Sequence, residues 1–417
     1  MLENLNKYMC GILLPILLII VGLYFAFRLK FFYILHPIKT IREMCKGGFK
    51  SLSLALAGTL GVGNIVGVAS ALISGGAGAI FWMWISAFIV MSLKYCEVIL
   101  AMKYRKKSND VFYGGAPYYT YDGLKKKIGN KLAKILSIIF AFLCIINSLT
   151  TGNLVQINSV SNITDLPKIL IGLIFSVIII AVIYGGAKRI STFTSILIPI
   201  LSIFYVVLSV YIILMNIKEI PSVFASIFKE AFSFKCVVSG FSGYGISSAI
   251  RFGVSRGLLS NEAGCGTSPT AHASSNTNDI HSQGCLGIFE VFVDTILLCT
   301  LTAIVILLYG KNGDNSMQLV TDAFEYFSYG IGKYGVIISS LLFALATISC
   351  QYYYGIESLN YITKKSFAKK IFTVIFCVTI VVGAVIPMSL MWQISDFALC
   401  FMTVFNLFCL IALRKEI

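Results

Sequence analysis

The stretch that most constrains this chain is an apolar run over residues 52–73, whose middle reads Ala57-Gly58-Thr59-Leu60-Gly61-Val62-Gly63-Asn64-Ile65-Val66-Gly67-Val68. The run is long enough to cross a hydrocarbon core. Glycine in a helix interior costs about 1 kcal/mol relative to alanine, so four of them beside an Asn do not describe a plain lipid-facing helix. Where a helix opens inside a membrane, its freed N–H and C=O groups need other partners or a water-lined cavity. A second interruption, Ser239-Gly240-Phe241-Ser242-Gly243-Tyr244-Gly245-Ile246-Ser247-Ser248, falls in another apolar run far downstream. Close packing through small residues explains either run alone equally well. Two of them, each opening one half of the chain, point instead to a ligand site between two structural repeats.

Composition agrees with a membrane setting. The chain is 58% hydrophobic and 12% charged, with mean hydropathy +0.88, against about 25% charged residues in soluble domains. The net charge of +15 does not imply nucleic acid, because the basic residues sit in short loops between apolar segments, where topology puts them. The twelve cysteines are scattered, mostly inside apolar runs, without a C-x-x-C pair or a Cys/His cluster. They read as small buried hydrophobes, not as a disulfide framework or a metal site. The three histidines, His36, His272 and His281, lie outside the apolar runs.

About eleven spans are expected, centred near 11–27, 52–73, 79–102, 132–155, 169–184, 192–217, 237–258, 286–309, 336–362, 371–386 and 388–413. The first is long for a signal-peptide core and no A-x-A-like site follows, so it reads as a retained span. Residues 28–50 are basic and amphipathic and are expected to lie in the membrane interface. Lysine and arginine collect in alternate loops: after the first span (Arg28, Lys30, Lys39, Arg42, Lys46, Lys50), the third (Arg105, Lys106, Lys107, Lys125, Lys126, Lys127, Lys131), the fifth (Lys188, Arg189), the ninth (Lys364, Lys365, Lys369, Lys370) and at the end (Arg414, Lys415). That side is the cytoplasm by the positive-inside rule, which places the N-terminus outside and the C-terminus inside. The expected organisation is then residues 1–50 as an extra span plus interfacial segment, 51–217 as a first set of five spans and 218–417 as a second, inverted set of five.

The residues around the breaks resemble those of the alanine or glycine:cation symporter family. Gly61-Val62-Gly63-Asn64-Ile65-Val66-Gly67-Val68-Ala69 resembles its G-T-G-N-I-A-G-V-A stretch, and Gly75-Gly76-Ala77-Gly78-Ala79-Ile80-Phe81-Trp82-Met83-Trp84 its G-G-P-G-A-x-F-W-M-W. Lys94-Tyr95-Cys96-Glu97, Tyr113-Gly114-Gly115-Ala116-Pro117-Tyr118-Tyr119, Gly152-Asn153-Leu154-Val155-Gln156, Arg256-Gly257-Leu258-Leu259-Ser260-Asn261-Glu262 and Phe292-Val293-Asp294-Thr295 continue the likeness in order over most of the chain. The resemblance implies an all-α polytopic membrane protein with a LeuT-type 5+5 inverted repeat. It implies transport of small neutral amino acids such as alanine and glycine with Na⁺, or with H⁺ as the alternative, across a prokaryotic plasma membrane. No organic cofactor and no nucleic-acid partner are expected, and the oligomeric state stays open.

An amino acid is a zwitterion. Free N–H groups at a half-helix N-terminus suit its carboxylate, and unwound carbonyls suit its ammonium. The expected substrate set is Thr59, Gly61, Gly63, Asn64, Gln156, Gly243, Ser247, Ser248, Ile250, Arg251 and Gln351. Asn64 offers both donor and acceptor, with helix-to-helix bonding as its alternative. Arg251, an ionisable residue inside a span, is expected to pair with Glu97, Glu262 or Asp294, with a role at the substrate carboxylate as the alternative. Asp294 and Glu290 read as gating or packing groups, with a proton route left open. Trp82 and Trp84 read as packing or interfacial aromatics, and Ser260-Asn261-Glu262 as a gate or a helix-end cap. By the resemblance, a Na⁺ site combines the carbonyls of Ala57 and Leu60 with Ala346 and Thr347, where the family has adjacent Ser and Thr. One hydroxyl is missing there, and Ser349, a turn away, replaces it only if the helix shifts. Gln351 stands where the family pocket has an aromatic, and Val62 replaces a Thr. An intramembrane enzyme would need a nucleophile–base pair or metal ligands, and a channel a continuous polar lining. Neither pattern is visible.

Overall fold

In the computed structural model of the chain, the helix beginning at Phe49 ends at Thr59, and a second helix, Val66–Gly75, takes over after one 3₁₀ turn, Val62–Asn64. The two halves are bent by 59°. The structure describes residues 6, 8–108, 111–164, 166–232, 242–311, 313 and 315–417, the side chains of 242–247 excepted.

The break is held open by side chains from other spans, which is what a low-dielectric interior demands of unwound backbone. The Gly61 N–H donates to Asn64 Oδ1 (3.2 Å) and the Val62 N–H to Gln156 Oε1 (2.9 Å). The Leu60 carbonyl accepts from Thr347 Oγ1 (3.2 Å) and the Asn64 carbonyl from Thr302 Oγ1 (2.8 Å). Gly61 also has a steric reason to be glycine. A Cβ there would stand 2.6 Å from Gln156 Oε1 and 2.8 Å from Thr347 Oγ1.

Around this broken span stand the long apolar helices Met9–Arg28, Gly78–Lys103, Asn130–Ser161, Gly186–Met215, Ile280–Tyr309, Ile331–Ile362, Ser366–Val385 and Met388–Ala412. Two further expected spans fall on the shorter apolar helix Lys168–Ile183 and on Ser242–Asn261. The fold is therefore an all-α multi-pass bundle. The second sequence interruption begins outside the described residues, and from Ser242 the backbone is helical to Asn261. Besides the π turn Met9–Leu13 that opens the first span, two π segments lie within long helices near the break, Thr150–Leu154 and Phe292–Cys299. Such wide turns rotate the following side chains and gather at functional sites. Here they precede Gln156 and contain Asp294.

Gly78–Lys103 lies at the centre of the bundle, packed against Ser242–Asn261, Ile280–Val291 and the first span. The first span also rests on Met388–Ala412. Helices at the rim expose aliphatic rows, among them Ile169, Leu173 and Val177 on one and Ile196, Ile200, Ile203 and Val207 on the next. Such rows face hydrocarbon comfortably and would be a liability in water. Residues 28–50 form the short helices Phe32–Leu35 and Pro37–Met44, with Leu35, Ile38 and Ile41 exposed.

One connection is more ordered than the sequence suggests. After the third span the chain forms a two-stranded hairpin, Lys106–Ser108 against Val111–Tyr113, and then the helix Ala116–Ile128. Pro117 pre-sets the first turn of that helix. Gly115 before it takes φ +116°, a region that side chains rarely adopt.

Candidate functional site

Four elements meet at the break. Gln156 reaches it from Val155–Ser161, Thr347 from Ile331–Ile362, Ser260 from the end of Ser242–Asn261, and Asp294 from the π segment of Ile280–Tyr309. Of the expected residues, Gly61, Asn64, Gln156, Leu60 and Thr347 are brought together. Thr347 Oγ1 and the Leu60 carbonyl are two oxygens already at contact distance, a suitable beginning for a hard cation. Ala57 and Ala346 are fully buried beside them. Ser349 does not supply the missing hydroxyl, since it donates to the Leu345 carbonyl of its own helix (2.7 Å). Among the described residues, no group of three or more His, Cys, Asp or Glu forms a metal cluster. An ion here would rest on neutral oxygens and single carboxylates.

Other expected residues meet partners within the protein, and one expectation, the carboxylate partner of Arg251, is corrected. Asn64 is committed to protein at both ends. Its Oδ1 accepts from Gly61, while Nδ2 donates to Asp294 Oδ1 (2.7 Å), the Asp294 carbonyl (3.0 Å) and Ser260 Oγ (2.9 Å). Arg251 pairs with none of Glu97, Glu262 or Asp294. Its guanidinium lies against Gly11 of the first span and 5.1 Å from the centroid of the Phe252 ring. Ile250 packs in the cluster built around that first span, and the Ser248 carbonyl faces Gly75. The ion pair of this helix is Arg256 with Asp396 (3.0 Å), with Arg256 also 4.2 Å from the Trp392 ring centre. The Thr59 hydroxyl bonds back to Ala55 and Leu56 of its own helix. The Ser247 side chain lies outside the described residues, and Gly243 contributes backbone alone. Trp82 and Trp84 act in packing, donating to the Ala231 carbonyl and to Thr300.

A polar network near the break was hardly visible in the sequence. Lys94 is fully buried and donates to Glu290 (3.3 Å) and Ser268 (2.7 Å). The other Glu290 oxygen meets His272 Nε2 (3.0 Å), and His272 Nδ1 meets Gln283 Nε2 (2.7 Å). Gln283 Oε1 accepts from the Gly48 backbone N–H (3.1 Å) and its Nε2 also donates to Ser51 (2.9 Å). A backbone N–H can only donate, so it fixes the amide. Nδ1 must then accept, leaving a neutral imidazole with its proton on Nε2. His272 thus lies between spans in sequence yet is wholly buried. Two more carboxylates stand nearby. Glu262, in a left-handed conformation with φ 48°, accepts from Gln351 Nε2 (2.8 Å) and Thr267 Oγ1 (2.5 Å). Glu97 accepts from Asn406, which in turn accepts from Tyr119. Gln351 therefore faces Glu262, and its Oε1 is buried without a partner.

Among the described residues, Asp294 meets neutral donors alone: Asn64 on one oxygen, Ser260 and Thr295 on the other, each of the last two at 2.8 Å. Glu97, Glu262, Glu290 and Asp294 are at most 2% exposed, and Lys94 is the cation buried among them. An uncompensated carboxylate is costly in such surroundings. The interior is therefore built to accept positive charge.

A broken helix, partners from four elements and a cation-seeking interior define a membrane transporter coupled to a cation. The family model described as the sodium:alanine symporter family matches residues 1–417. Sodium/alanine symporter AgcS of Methanococcus maripaludis is 34% identical, over 95% of this chain and 90% of its own. The uncharacterized transporter YflA of Bacillus subtilis is 32% identical over 100% of this chain and 91% of its own. Among solved structures, a Na⁺-coupled sialic acid symporter in a substrate-bound, outward-open state aligns with TM-score 0.53 and 14% identity, over 96% of this chain and 82% of that one. The chain belongs to the sodium:alanine symporter family, and it is a symporter and not an enzyme.

Proposed function

We propose that the chain imports a small neutral amino acid, alanine or glycine, together with Na⁺ across the plasma membrane of a prokaryote. The observation that carries this reading is the break at Gly61. It joins an extended backbone, the first-turn N–H groups of Val66–Gly75 and the Gln156 amide in one buried place. Those N–H groups suit a carboxylate. Gln156 Nε2 makes no bond to protein among the described residues and is free to meet the same ligand. The run at the break carries small residues, Gly61 and Gly63 among them, which supports a small substrate. Na⁺ would sit where the Leu60 carbonyl and Thr347 hydroxyl meet, with Asp294 nearby holding a charge that positive cargo offsets.

The two sets of five spans, 51–217 and 218–417, would rock about this point in alternating access, with the N-terminus outside and the C-terminus in the cytoplasm. Proton coupling is the second reading. It is favoured by the buried carboxylates Glu97, Glu262 and Asp294 and by Ala346 in place of a hydroxyl.

Counterflow in proteoliposomes tests the carrier reading. Liposomes loaded with unlabelled alanine should take up labelled alanine transiently above equilibrium. Glycine and serine should compete, whereas leucine and phenylalanine should not. Uptake that only equilibrates would indicate a pore. Strong competition by a large or amide-bearing amino acid would show that Gln351 has changed the substrate class.

A further inference from the structure

At one end of the bundle, away from the break, lies a basic cavity of about 450 Å³ lined by Lys106, Ser108, Tyr113, Tyr118, Asn360, Tyr361, Lys364 and Lys369. Its walls come from distant parts of the chain. Lys106, Ser108 and Tyr113 belong to the hairpin, and Tyr118 to the helix that follows. Asn360 and Tyr361 end one long helix, and Lys364 and Lys369 flank the start of Ser366–Val385.

Among the described residues the local charge is positive: three lysines line the cavity, and the carboxylates beside it are Asp122 and Glu357. Lys106 meets Asp122 at 2.6 Å, and Asp122 also holds Lys125 at 2.6 Å. Burial opposes the Asp122 charge, but the two ammonium groups outweigh it and hold its carboxyl below the usual range. Glu357 accepts from the neutral Asn360 amide (3.2 Å) and lies within electrostatic reach of Lys369, though not at ion-pair distance. Among the described residues, no carboxylate lies within ion-pair distance of Lys364 or Lys369. The helix beginning at Ser366 makes the site more positive still. Its N-cap has no side-chain bond, and no acidic residue stands in its first turn, where the dipole favours negative charge. Lys364, Lys365, Lys369 and Lys370 crowd that positive end, an arrangement that helix stability alone disfavours. The tyrosine rings give the cavity rigid walls, with Tyr118 and Tyr361 packed edge to face at 4.9 Å.

We infer that this cavity binds a phosphate-bearing anion, held by Lys106, Lys364 and Lys369 with Ser108 as a hydroxyl donor. Two sources carry that chemistry: the headgroup of an anionic phospholipid and a soluble phosphate compound. The site is independent of the transport reading, since it uses none of the residues at the break.

Native mass spectrometry of the purified full-length protein tests the inference. The probes are phosphatidylglycerol, phosphatidylcholine and inorganic pyrophosphate, each titrated separately. One saturable anion per chain is expected. A Lys364→Ala/Lys369→Ala double variant should weaken its retention about tenfold, as for the loss of two charge-assisted contacts, and Lys364→Arg/Lys369→Arg should retain it. A Lys311→Ala/Lys333→Ala control should bind like the parent, and unchanged size-exclusion profiles establish that the variants are folded. Saturation by phosphatidylglycerol alone assigns a lipid headgroup, and saturation by pyrophosphate assigns a soluble phosphate. Saturation by neither, or equal retention by the Lys364/Lys369 alanine variant, overturns the inference.

Discussion

Gly61 is where sequence, geometry and function meet most closely, because its missing Cβ lets Gln156 and Thr347 approach the backbone. Gly61→Ala should lower the uptake rate at least tenfold, about 1.4 kcal/mol in the quantity measured. Gly63→Ala should be milder, since its added carbon would stand 3.4 Å from the Ser260 backbone, an ordinary contact. Comparable losses in both variants would show that the region only needs flexibility. Thr347 makes a second residue-level test. Thr347→Ala removes an oxygen beside the Leu60 carbonyl and should raise the Na⁺ needed for half-maximal uptake about tenfold, more than it raises the alanine requirement. Ala346→Ser adds an oxygen and should lower the Na⁺ requirement, whereas unchanged Na⁺ dependence in both would remove the ion from this place. Gly61, Asn64 and Gln156 were legible because a glycine break or a polar group in an apolar run has few ordinary explanations, whereas Thr347 was singled out only through the family resemblance. The partners of Asn64 and Arg251 were not. Sequence shows that each needs a partner, but only the rotation of helices decides that Asn64 meets Asp294 while Arg251 turns to the first span.

Among the elements, the broken span was the most readable, and its neighbours explain why it is stable. Its unwound groups bond to Gln156, Thr347 and Thr302, each on a different helix. The π segments Thr150–Leu154 and Phe292–Cys299 were not legible, since one extra residue in a turn leaves no mark on composition. The paired strands Lys106–Ser108 and Val111–Tyr113 and the helix after them were also missed, because charged connections carry weak periodic signals. The Lys94 network is an element-level device. It ties the third span to the eighth and, through His272 and Gln283, to the start of the broken span at Gly48 and Ser51. Removing one member of a buried pair costs about 3–5 kcal/mol, whereas replacing both with apolar residues is often far milder. Lys94→Met should therefore lower Tm in detergent markedly, and Lys94→Met/Glu290→Leu should recover much of the loss. A double variant no more stable than Lys94→Met would show that His272 and Ser268 depend on the Glu290 charge independently of Lys94.

At the scale of the whole molecule, charge is sorted in two ways. Lysine and arginine collect in alternate loops, and the carboxylates Glu97, Glu262, Glu290 and Asp294 are buried inside around Lys94. The first pattern was readable from sequence and suggests orientation. The second was not, because Glu97, Glu262, Glu290 and Asp294 are spread along the chain and only folding gathers them. That acidic interior is the physical reason to expect cation coupling, and it leaves the choice between Na⁺ and H⁺ to experiment. The most direct measurement is accumulation of radiolabelled alanine in proteoliposomes, with Na⁺ and pH gradients imposed separately. An inward Na⁺ gradient at equal pH should drive accumulation, and a pH gradient without Na⁺ should not. Accumulation that ignores Na⁺ and follows the pH gradient would contradict the sodium account.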